Sequence, residues 1–274
     1  MGTTVSSLRR SVGLVAAQPA YLLVGGSIVL LAHAVGYLLG LVPVVGGVGA
    51  LFLLALYNTA LLGLAYTASR LGRPETSAIR HAVRYKYPTV VGAYAVSSLL
   101  VAVLGAGLAV ALGMGAGATL PALGVDLGAE FGVESFRELA TNPPAPSLSA
   151  GAIATETAIL LAAAAAGLAI PWALLQFVGP AVVVDDESVL GAVGASLAVA
   201  RSHPLSVLGY TVVRGSCLVL FLLVPLALAA PLIAAGSLSP SDTTGLAALA
   251  VLALVQPIVY AWSLAYHVEF YRAA

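Results

Sequence analysis

The stretch FVGPAVVVDDESVLGAVGASLAVARSHPLSVLGY, residues 177–210, decides the fold. It begins at the apolar end of a predicted membrane span, and the acidic pair Asp185 and Asp186 marks a turn. A predicted amphipathic helix ends near Arg201, and Pro204 leads into the next apolar segment. The same order of amphipathic helix, proline and span occurs twice earlier in the chain, and it predicts three repeats.

The composition indicates a membrane protein. Of 274 residues, 61% are hydrophobic and 8% are charged, and the mean hydropathy is +1.05, whereas soluble domains carry about 25% charged residues. A water-soluble fold of this size cannot bury so much apolar surface. The formal net charge of zero gives no reason to expect a nucleic-acid partner. We therefore expect an all-α, polytopic integral membrane protein.

The hydropathy pattern predicts a single transmembrane domain over residues 1–274, with a tight turn at Pro43 and the glycines 46, 47 and 49 and a kink at Pro171. Each pair of spans is preceded by a helix that lies on the membrane surface, the first over residues 4–18 and the second within the basic stretch 70–87. A long acidic loop is predicted over residues 117–150. The six predicted transmembrane helices cover about residues 20–42, 48–69, 89–114, 153–178, 206–234 and 245–267.

The distribution of basic residues predicts the orientation. Nine of the eleven fall on one side of the predicted topology, Arg137 falls on the other, and Arg214 lies inside the fifth span. Basic residues concentrate on the cytoplasmic side of membrane proteins. We therefore expect both termini to be cytoplasmic, the loop 117–150 to face outward and the protein to reside in the plasma membrane. The nine are Arg9, Arg10, Arg70, Arg73, Arg80, Arg84, Lys86, Arg201 and Arg272.

Three prolines mark the repeats, Pro19, Pro88 and Pro204, and the later two stand in similar segments, RYKYPTVVGAY and ARSHPLSVLGY. Repeats of this kind occur in membrane proteins that bind a ligand at the repeat interface, and also in scaffolds that grew by duplication. Within the third span, Gly105, Ala109, Gly113 and Gly117 recur at four-residue spacing. This spacing is typical of closely packed membrane helices.

The stretch 177–210 resembles multipass membrane proteins of archaea, broadly similar to the membrane domain attached to some glycerophosphodiester phosphodiesterases. The resemblance rests on GPAVVV, the pair Asp185 and Asp186, Arg201, and the proline before Gly-Tyr. It implies a six-helix protein of the cytoplasmic membrane and no established activity. The phosphodiesterase catalytic domain has no counterpart, because the hydrophilic segments are too short to contain it. The strong preference for arginine over the single lysine, Lys86, also suggests a prokaryotic chain.

Four polar residues within the predicted spans form the candidate intramembrane site. His33, Asn58 and Gln256 fall near mid-membrane in spans one, two and six, where they either bind a solute or hydrogen-bond between helices. Arg214 lies about 12 Å into span five by helical rise. Its guanidinium either reaches back to the cytoplasmic surface, pairs within the protein or holds a lipid phosphate.

The sequence offers no support for metal, cofactor or hydrolase chemistry. Zinc-ligand residue types share the predicted cytoplasmic face without metal-binding spacing, namely His81, His203, His267, Asp185, Asp186 and Glu269. We interpret Asp185 and Asp186 as residues that cap the following helix and favour its dipole. We therefore expect no enzyme.

Two function hypotheses remain. The first is a non-enzymatic membrane module that organises lipid, with anionic headgroups at its basic loops, or a protein partner, including a second copy of the chain. The second is a small-solute or ion transporter, or a channel, that uses the mid-membrane polar residues.

Overall fold

The computed structural model describes residues 2–40, 43–119, 155–217, 219 and 243–274. Within them the chain is helical, and the helices are joined by short turns. They are α1 (Gly2–Ala17), α2 (Pro19–Gly40), α3 (Pro43–Leu71), α4 (Thr76–Tyr85), α5 (Tyr87–Thr119), α6 (Thr155–Leu175), α7 (Val178–Asp185), α8 (Val189–Ser202), α9 (204–217) and α10 (Thr243–Ala273).

The chain divides into two compact units. Unit 1 comprises residues 1–94 and 177–274, and unit 2 comprises residues 95–176. Unit 1 brings together segments from both ends of the sequence, so α1, α2 and α3 pack with α10. The site described below lies entirely in unit 1.

Four helical segments in the described part are long and apolar enough to cross a membrane: Pro19–Gly36, Phe52–Leu71, Tyr87–Met114 and Ala162–Asp185. They overlap the first four predicted spans, so the expectation of an all-helical membrane protein is confirmed at that level. Most of span five, residues 206–234, lies outside the described residues. The count of six spans and the three repeats therefore stay predictions.

Two predicted boundaries are wrong. The turn expected at the glycines 46, 47 and 49 does not form, because α3 begins at Pro43 and continues through them. Proline suits the first turn of a helix, where its missing N–H would have no partner and its φ is already helical. The predicted loop 117–150 begins too early as well, since α5 continues to Thr119. The rest of that loop lies outside the described residues.

The fourth predicted span is interrupted. Pro171 lies inside α6, and the break follows it at Gln176 and Phe177 before α7 begins. The backbone N–H of Phe177 donates to Ser196 Oγ over 3.1 Å, which satisfies one of the groups at the start of α7. Residues 178–183 of α7 are buried, so this segment belongs to the interior of unit 1.

The short helices α1 and α8 turn small side chains toward the protein. The buried residues of α1 are Thr4, Ser7 and Ser11, and those of α8 are Ala192, Ser196 and Ala200. Larger apolar residues point outward: Val5 and Val12 on α1 and Leu190 on α8 are more than half exposed. An exposed apolar face of this kind suits a helix whose outer surroundings are lipid.

The short helix α4 packs closely against α3. A Cβ atom added at Gly63 of α3 would lie 2.7 Å from Ala82 Cβ and 3.2 Å from the Ala78 carbonyl oxygen, both on α4. Glycine is therefore required at this contact. The N-cap of α4 is Glu75 and its C-cap is Lys86, so this helix lies within the basic stretch 70–87, as predicted.

In unit 2, the small residues of α5 form the contact with α6. A Cβ added at Gly105 would lie 2.8 Å from Leu168 Cδ2, and one added at Gly167 would lie 2.7 Å from both Ala109 N and Ala109 Cβ. The two backbones therefore nearly touch. This confirms the predicted packing role of Gly105 and Ala109.

Candidate functional site

A polar cavity of about 400 Å³ is the candidate site, and it is formed by α1, the C-terminal ends of α3 and α10, and Gln18 between α1 and α2. Its size falls in the range of small-molecule and headgroup sites. Its polar lining comes from Arg10, Gln18, Ser69, Glu269 and Arg272, and Leu14 adds an apolar wall.

The charged groups of the cavity form one connected network. The Arg10 guanidinium lies 3.3 Å from a Glu269 carboxylate oxygen. The Ser69 hydroxyl donates to the other carboxylate oxygen of Glu269, and the Arg272 guanidinium donates to the Ser69 hydroxyl. The Glu269 side chain is only 10% exposed, whereas that of Arg10 is 53% exposed. The carboxylate thus forms the buried floor of the cavity, and Arg10 stands at its open rim.

The position of Arg10 is fixed by the inner face of α1. The Ser7 hydroxyl donates to the Glu269 carbonyl oxygen over 3.3 Å, and the Thr4 hydroxyl donates to the Ser206 carbonyl oxygen over 2.9 Å. Both bonds are buried and reach residues far away in sequence. Arg10 also donates to Ser7 Oγ over 3.3 Å. Small hydroxyl side chains therefore hold α1 against α9 and α10 and direct Arg10 to the cavity.

Two further features shape the wall. Gly72 adopts a left-handed conformation with φ of +69°, and its N–H donates to the Ala68 carbonyl oxygen over 3.1 Å. This glycine ends α3 in the way that left-handed C-terminal residues commonly end helices. Gln18 also lines the cavity, and its Oε1 is buried and accepts no hydrogen bond from the described residues.

An aromatic cluster packs around the adjoining part of α10, with rings from α10 itself, from α9 and from the turn before α7. It contains Phe177, Tyr210, His267 and Phe270, whose closest ring pair, Tyr210 and Phe270, has centroids 4.5 Å apart. The Tyr210 hydroxyl and His267 Nδ1 are hydrogen-bonded in the interior. The Phe177 ring stacks on the His267 ring with centroids 5.3 Å apart. This cluster fixes the segment of α10 that carries Glu269 and Arg272.

The candidate intramembrane residues have separate surroundings. Asn58 is buried, and its Oδ1 accepts a hydrogen bond from the Tyr260 hydroxyl over 2.9 Å. His33 is exposed and bonds through Nδ1 to the Val29 carbonyl oxygen of its own helix, and Gln256 is exposed on α10. No hydrogen bond among the described residues joins these three to one another. Their role in solute binding stays a prediction.

Arg214 lies in the interior of unit 1. The residue is 9% exposed, and Nε is buried and donates to no described residue. Its charge acts on the hydroxyls of Tyr94 and Tyr210, so these two tyrosines are its close polar neighbours. Among the described carboxylates, none forms an ion pair with Arg214.

The acidic pair has a different role from the one expected. The sequence predicts that Asp185 and Asp186 cap the helix that follows, and this prediction is wrong: the N-cap of α8 is Ser188, whose Oγ accepts a hydrogen bond from Gly191 N over 3.2 Å. Asp185 instead accepts from the Tyr271 hydroxyl over 2.5 Å, and Asp186 forms an ion pair with Lys86. These bonds tie the turn after α7 to α10 and to the start of α5. In the described ranges, no group of three His, Cys, Asp or Glu side chains could hold a metal ion.

The sequence does not predict the cavity. In the sequence, Arg10 and Arg272 indicate only the orientation, because they belong to the basic residues on the predicted cytoplasmic side. Their spacing in the sequence carries no sign that they share a cavity. The sequence feature that comes closest to indicating the cavity is Glu269, a carboxylate on the predicted cytoplasmic side, where most basic residues lie.

The comparisons with known proteins identify the family and no activity. The family described as domain of unknown function (DUF7847) matches residues 3–274, so the chain belongs to it. Neither a curated protein nor a solved structure matches the chain.

Proposed function

We propose that this protein is a non-enzymatic membrane module that binds the headgroup of an anionic lipid in the cavity between α1, α3 and α10. The observation that carries the proposal is the convergence of Arg10 and Arg272 on one polar cavity that also has an apolar wall at Leu14. Guanidinium groups match the geometry of phosphate oxygens better than ammonium groups do.

The location of the cavity supports a lipid rather than a soluble ligand. It lies at the end of the candidate span Phe52–Leu71, where a headgroup would lie if that segment crosses a bilayer. The outward apolar residues of α1, Val5 and Val12, would contact the same lipid layer. Each basic residue near an anionic surface contributes about 1 kcal/mol, which corresponds to about fivefold in affinity.

The orientation is part of the same proposal. All the polar residues that line the cavity belong to segments for which the charge distribution predicts a cytoplasmic location. The proposed topology has six spans in three repeats, with both termini in the cytoplasm of a plasma membrane. A tag at the C-terminus should then be inaccessible to a membrane-impermeant reagent in intact cells. Labelling of that tag without permeabilisation would refute the orientation.

Two neighbouring arginines provide a matched test of lipid binding. Arg10→Gln and Arg9→Gln remove the same charge from adjacent positions, but only Arg10 lines the cavity. Native mass spectrometry of the purified full chain should show about fivefold less retained anionic lipid for Arg10→Gln and for Arg272→Gln, with Arg9→Gln unchanged. An equal loss in Arg9→Gln would indicate general charge attraction and would refute the cavity as the site.

A further inference from the structure

We infer that the outward face of α4 is a docking surface for an acidic helical segment of a water-soluble protein. This surface is separate from the cavity, whose lining comes from α1, α3, α10 and the residues that directly follow α1 and α3. The inference goes beyond the proposed lipid binding and stands independently of it. It comes from the side chains that α4 exposes, from the charges around them and from their spacing.

The exposed side of α4 differs in chemistry from those of α1 and α8. On α1 and α8 the exposed residues include aliphatic side chains, namely Val5, Val12, Leu190 and Leu197. On α4 no exposed residue is aliphatic. The exposed residues of α4 are Thr76, Ser77, Arg80, His81, Arg84 and Tyr85. Because aliphatic side chains are the ones that enter lipid, α1 and α8 present faces suited to a bilayer, and α4 presents a face suited to water.

The apolar side of α4 is already occupied by α3. A Cβ atom added at Gly63 of α3 would lie 2.7 Å from Ala82 Cβ and 3.2 Å from the Ala78 carbonyl oxygen, so these two alanines are docked against the neighbouring helix. The larger apolar residues of α4, Ile79 and Val83, are half-buried. An interfacial helix binds a bilayer through an apolar face that is free to enter it. The outward face of α4 therefore fits a partner in water better than a bilayer.

Two arginines on this face have no acidic partner in the described part of the chain. Among the described residues, neither Arg80 nor Arg84 forms an ion pair. The acids at the two ends of α4 are already paired. Glu75 pairs with Arg73 over 3.0 Å, and Asp186 pairs with Lys86. Since residues 76–85 contain no Asp or Glu, the outward face carries positive charge that an acidic partner would balance.

The spacing of these side chains matches a second helix. Arg80 and Arg84 are one turn apart, with about 6 Å between their Cβ atoms. Two carboxylates one turn apart on a partner helix have the same spacing, so both charge-assisted pairs can form at once. His81 and Tyr85 form a second row, with ring centroids 4.9 Å apart, and the Arg84 guanidinium lies 5.5 Å from the centroid of the Tyr85 ring. Tyrosine and arginine are the residue types that often dominate binding energy at protein interfaces.

A nucleic acid fits this face less well than an acidic helix does. Nucleic-acid binding draws its affinity from many simultaneous phosphate contacts. The face offers two arginines without an ion pair among the described residues, and the formal net charge of the chain is zero. An acidic helix needs no more than these two arginines, and the exposed Tyr85 ring gives it an aromatic contact as well.

A pair of designed peptides tests the spacing. The full chain is placed in nanodiscs of phosphatidylcholine, which carries no net charge. The probe is an alanine-based helical peptide of about 18 residues with two glutamates one turn apart. The control peptide has the same composition, with the glutamates two residues apart and so on different sides of the helix. Fluorescence anisotropy at low salt should show that the probe binds about fivefold more tightly, since it alone can reach both arginines.

Variants of α4 assign the binding to residues. Arg80→Gln and Arg84→Gln should each weaken the probe by about fivefold and make the two peptides equal. Arg73→Gln removes the same charge from the same segment, but Arg73 already pairs with Glu75, so this variant should bind the probe like the native chain. Tyr85→Ala should weaken the probe at least as much as the loss of one arginine.

Several results would overturn the inference. Equal weakening by Arg73→Gln would show general charge attraction, and equal binding of both peptides by the native chain would show that the spacing is not recognised. Failure of both peptides to bind would exclude an acidic helix as the partner. If phosphatidylglycerol in the nanodiscs displaces the probe and its own binding depends on Arg80, the occupant is the bilayer. If a DNA duplex displaces the probe and binds more tightly through the same arginines, the occupant is a nucleic acid.

Discussion

The rings of Phe177 and Tyr210 lie with their centroids 5.3 Å apart, although these residues stand at the two ends of the stretch 177–210. Both rings also contact His267 on α10, so the segment between them, which contains α7, α8 and the first turns of α9, forms a loop closed on α10. The stretch that decides the fold in sequence is thus held at its two ends by one aromatic contact.

The first prediction concerns this cluster. Phe177 is fully buried, so Phe177→Ala should lower the free energy of unfolding by about 3 kcal/mol through the lost contacts and the cavity that remains. Tyr210→Phe should cost only about 1 kcal/mol, because it removes the hydrogen bond to His267 and keeps the ring. Unfolding in mixed micelles with increasing dodecyl sulfate measures both. A larger loss for Tyr210→Phe than for Phe177→Ala would contradict this assignment.

The second prediction concerns the close contact of α5 and α6. Gly105→Ala should destabilise unit 2 by about 1–3 kcal/mol, since the added Cβ would lie 2.8 Å from Leu168 Cδ2 and 3.2 Å from the Gly167 carbonyl oxygen. Gly107 on the same helix has nothing within 4 Å of an added Cβ, so Gly107→Ala is the matched control. That control should be neutral or stabilise the helix by up to about 1 kcal/mol. Unfolding in mixed micelles with increasing dodecyl sulfate compares the two variants.

The third prediction separates Asn58 from Gln256. Asn58→Leu should destabilise the protein by about 1 kcal/mol, because Tyr260 loses its buried acceptor. Gln256 is exposed, so Gln256→Leu should have no effect on stability, or a slightly favourable one in lipid. The same pair of variants tests the transport hypothesis in an uptake assay with candidate solutes. A loss of uptake in both variants, without a loss of folded protein, would support the transport hypothesis.

The fourth prediction concerns Arg214. Its charge acts on Tyr210, so Arg214→Lys and Tyr210→Phe should be coupled by about 1 kcal/mol in a double-mutant cycle. Lysine lacks the planar fork of arginine and cannot reproduce its geometry. Tyr21→Phe is the control, since the Tyr21 hydroxyl donates to the Ala261 carbonyl oxygen over 2.8 Å. Its effect should add to that of Arg214→Lys, and coupling of equal size would rule out a specific Arg214–Tyr210 interaction.

The fifth prediction concerns alkaline pH. Burial, together with the hydrogen bond and negative charge of Asp185, raises the pKa of Tyr271 above its ordinary value of 10. A raised folded-state pKa favours the folded protein while the phenol is protonated. This contribution is present below about pH 10 and is lost as the pH rises through the folded-state pKa. Tyr271→Phe should therefore be less sensitive to pH above 10 than the native chain, and the exposed Tyr85→Phe should not.

Much of the helical framework could be predicted from the sequence, because proline, hydropathy and charge act locally. Pro19 starts α2, and the basic segment between spans two and three forms a short helix, Thr76–Tyr85, as expected. The errors also have local causes. The glycines after Pro43 look like a turn, but a preceding proline and an apolar context keep them helical. The break at Gln176 and Phe177 depends on Ser196, which lies beyond the reach of a local pattern.

The candidate site could not be predicted in the same way. Arg10 and Glu269 are in contact only because Thr4 and Ser7 dock α1 on α9 and α10. Serine and threonine at these positions look like ordinary helix-surface residues in the sequence. In lipid, however, small hydroxyl residues are the ones that face other helices, while valine and leucine face the bilayer. The inward direction of α1 follows from that rule once the membrane is accepted as its surroundings.

The packing of α1 against α10 has a consequence for how the protein is made. One arginine of the cavity belongs to α1, which is synthesised before the other described helices, and the other lies at residue 272 in α10. The cavity therefore cannot form until α10 has been synthesised and inserted. The hydroxyls of Thr4 and Ser7 meet their acceptors only after α9 and α10 have been synthesised. Nascent chains stalled before α10 should leave α1 open to protease, and protection of α1 should arise abruptly when α10 emerges.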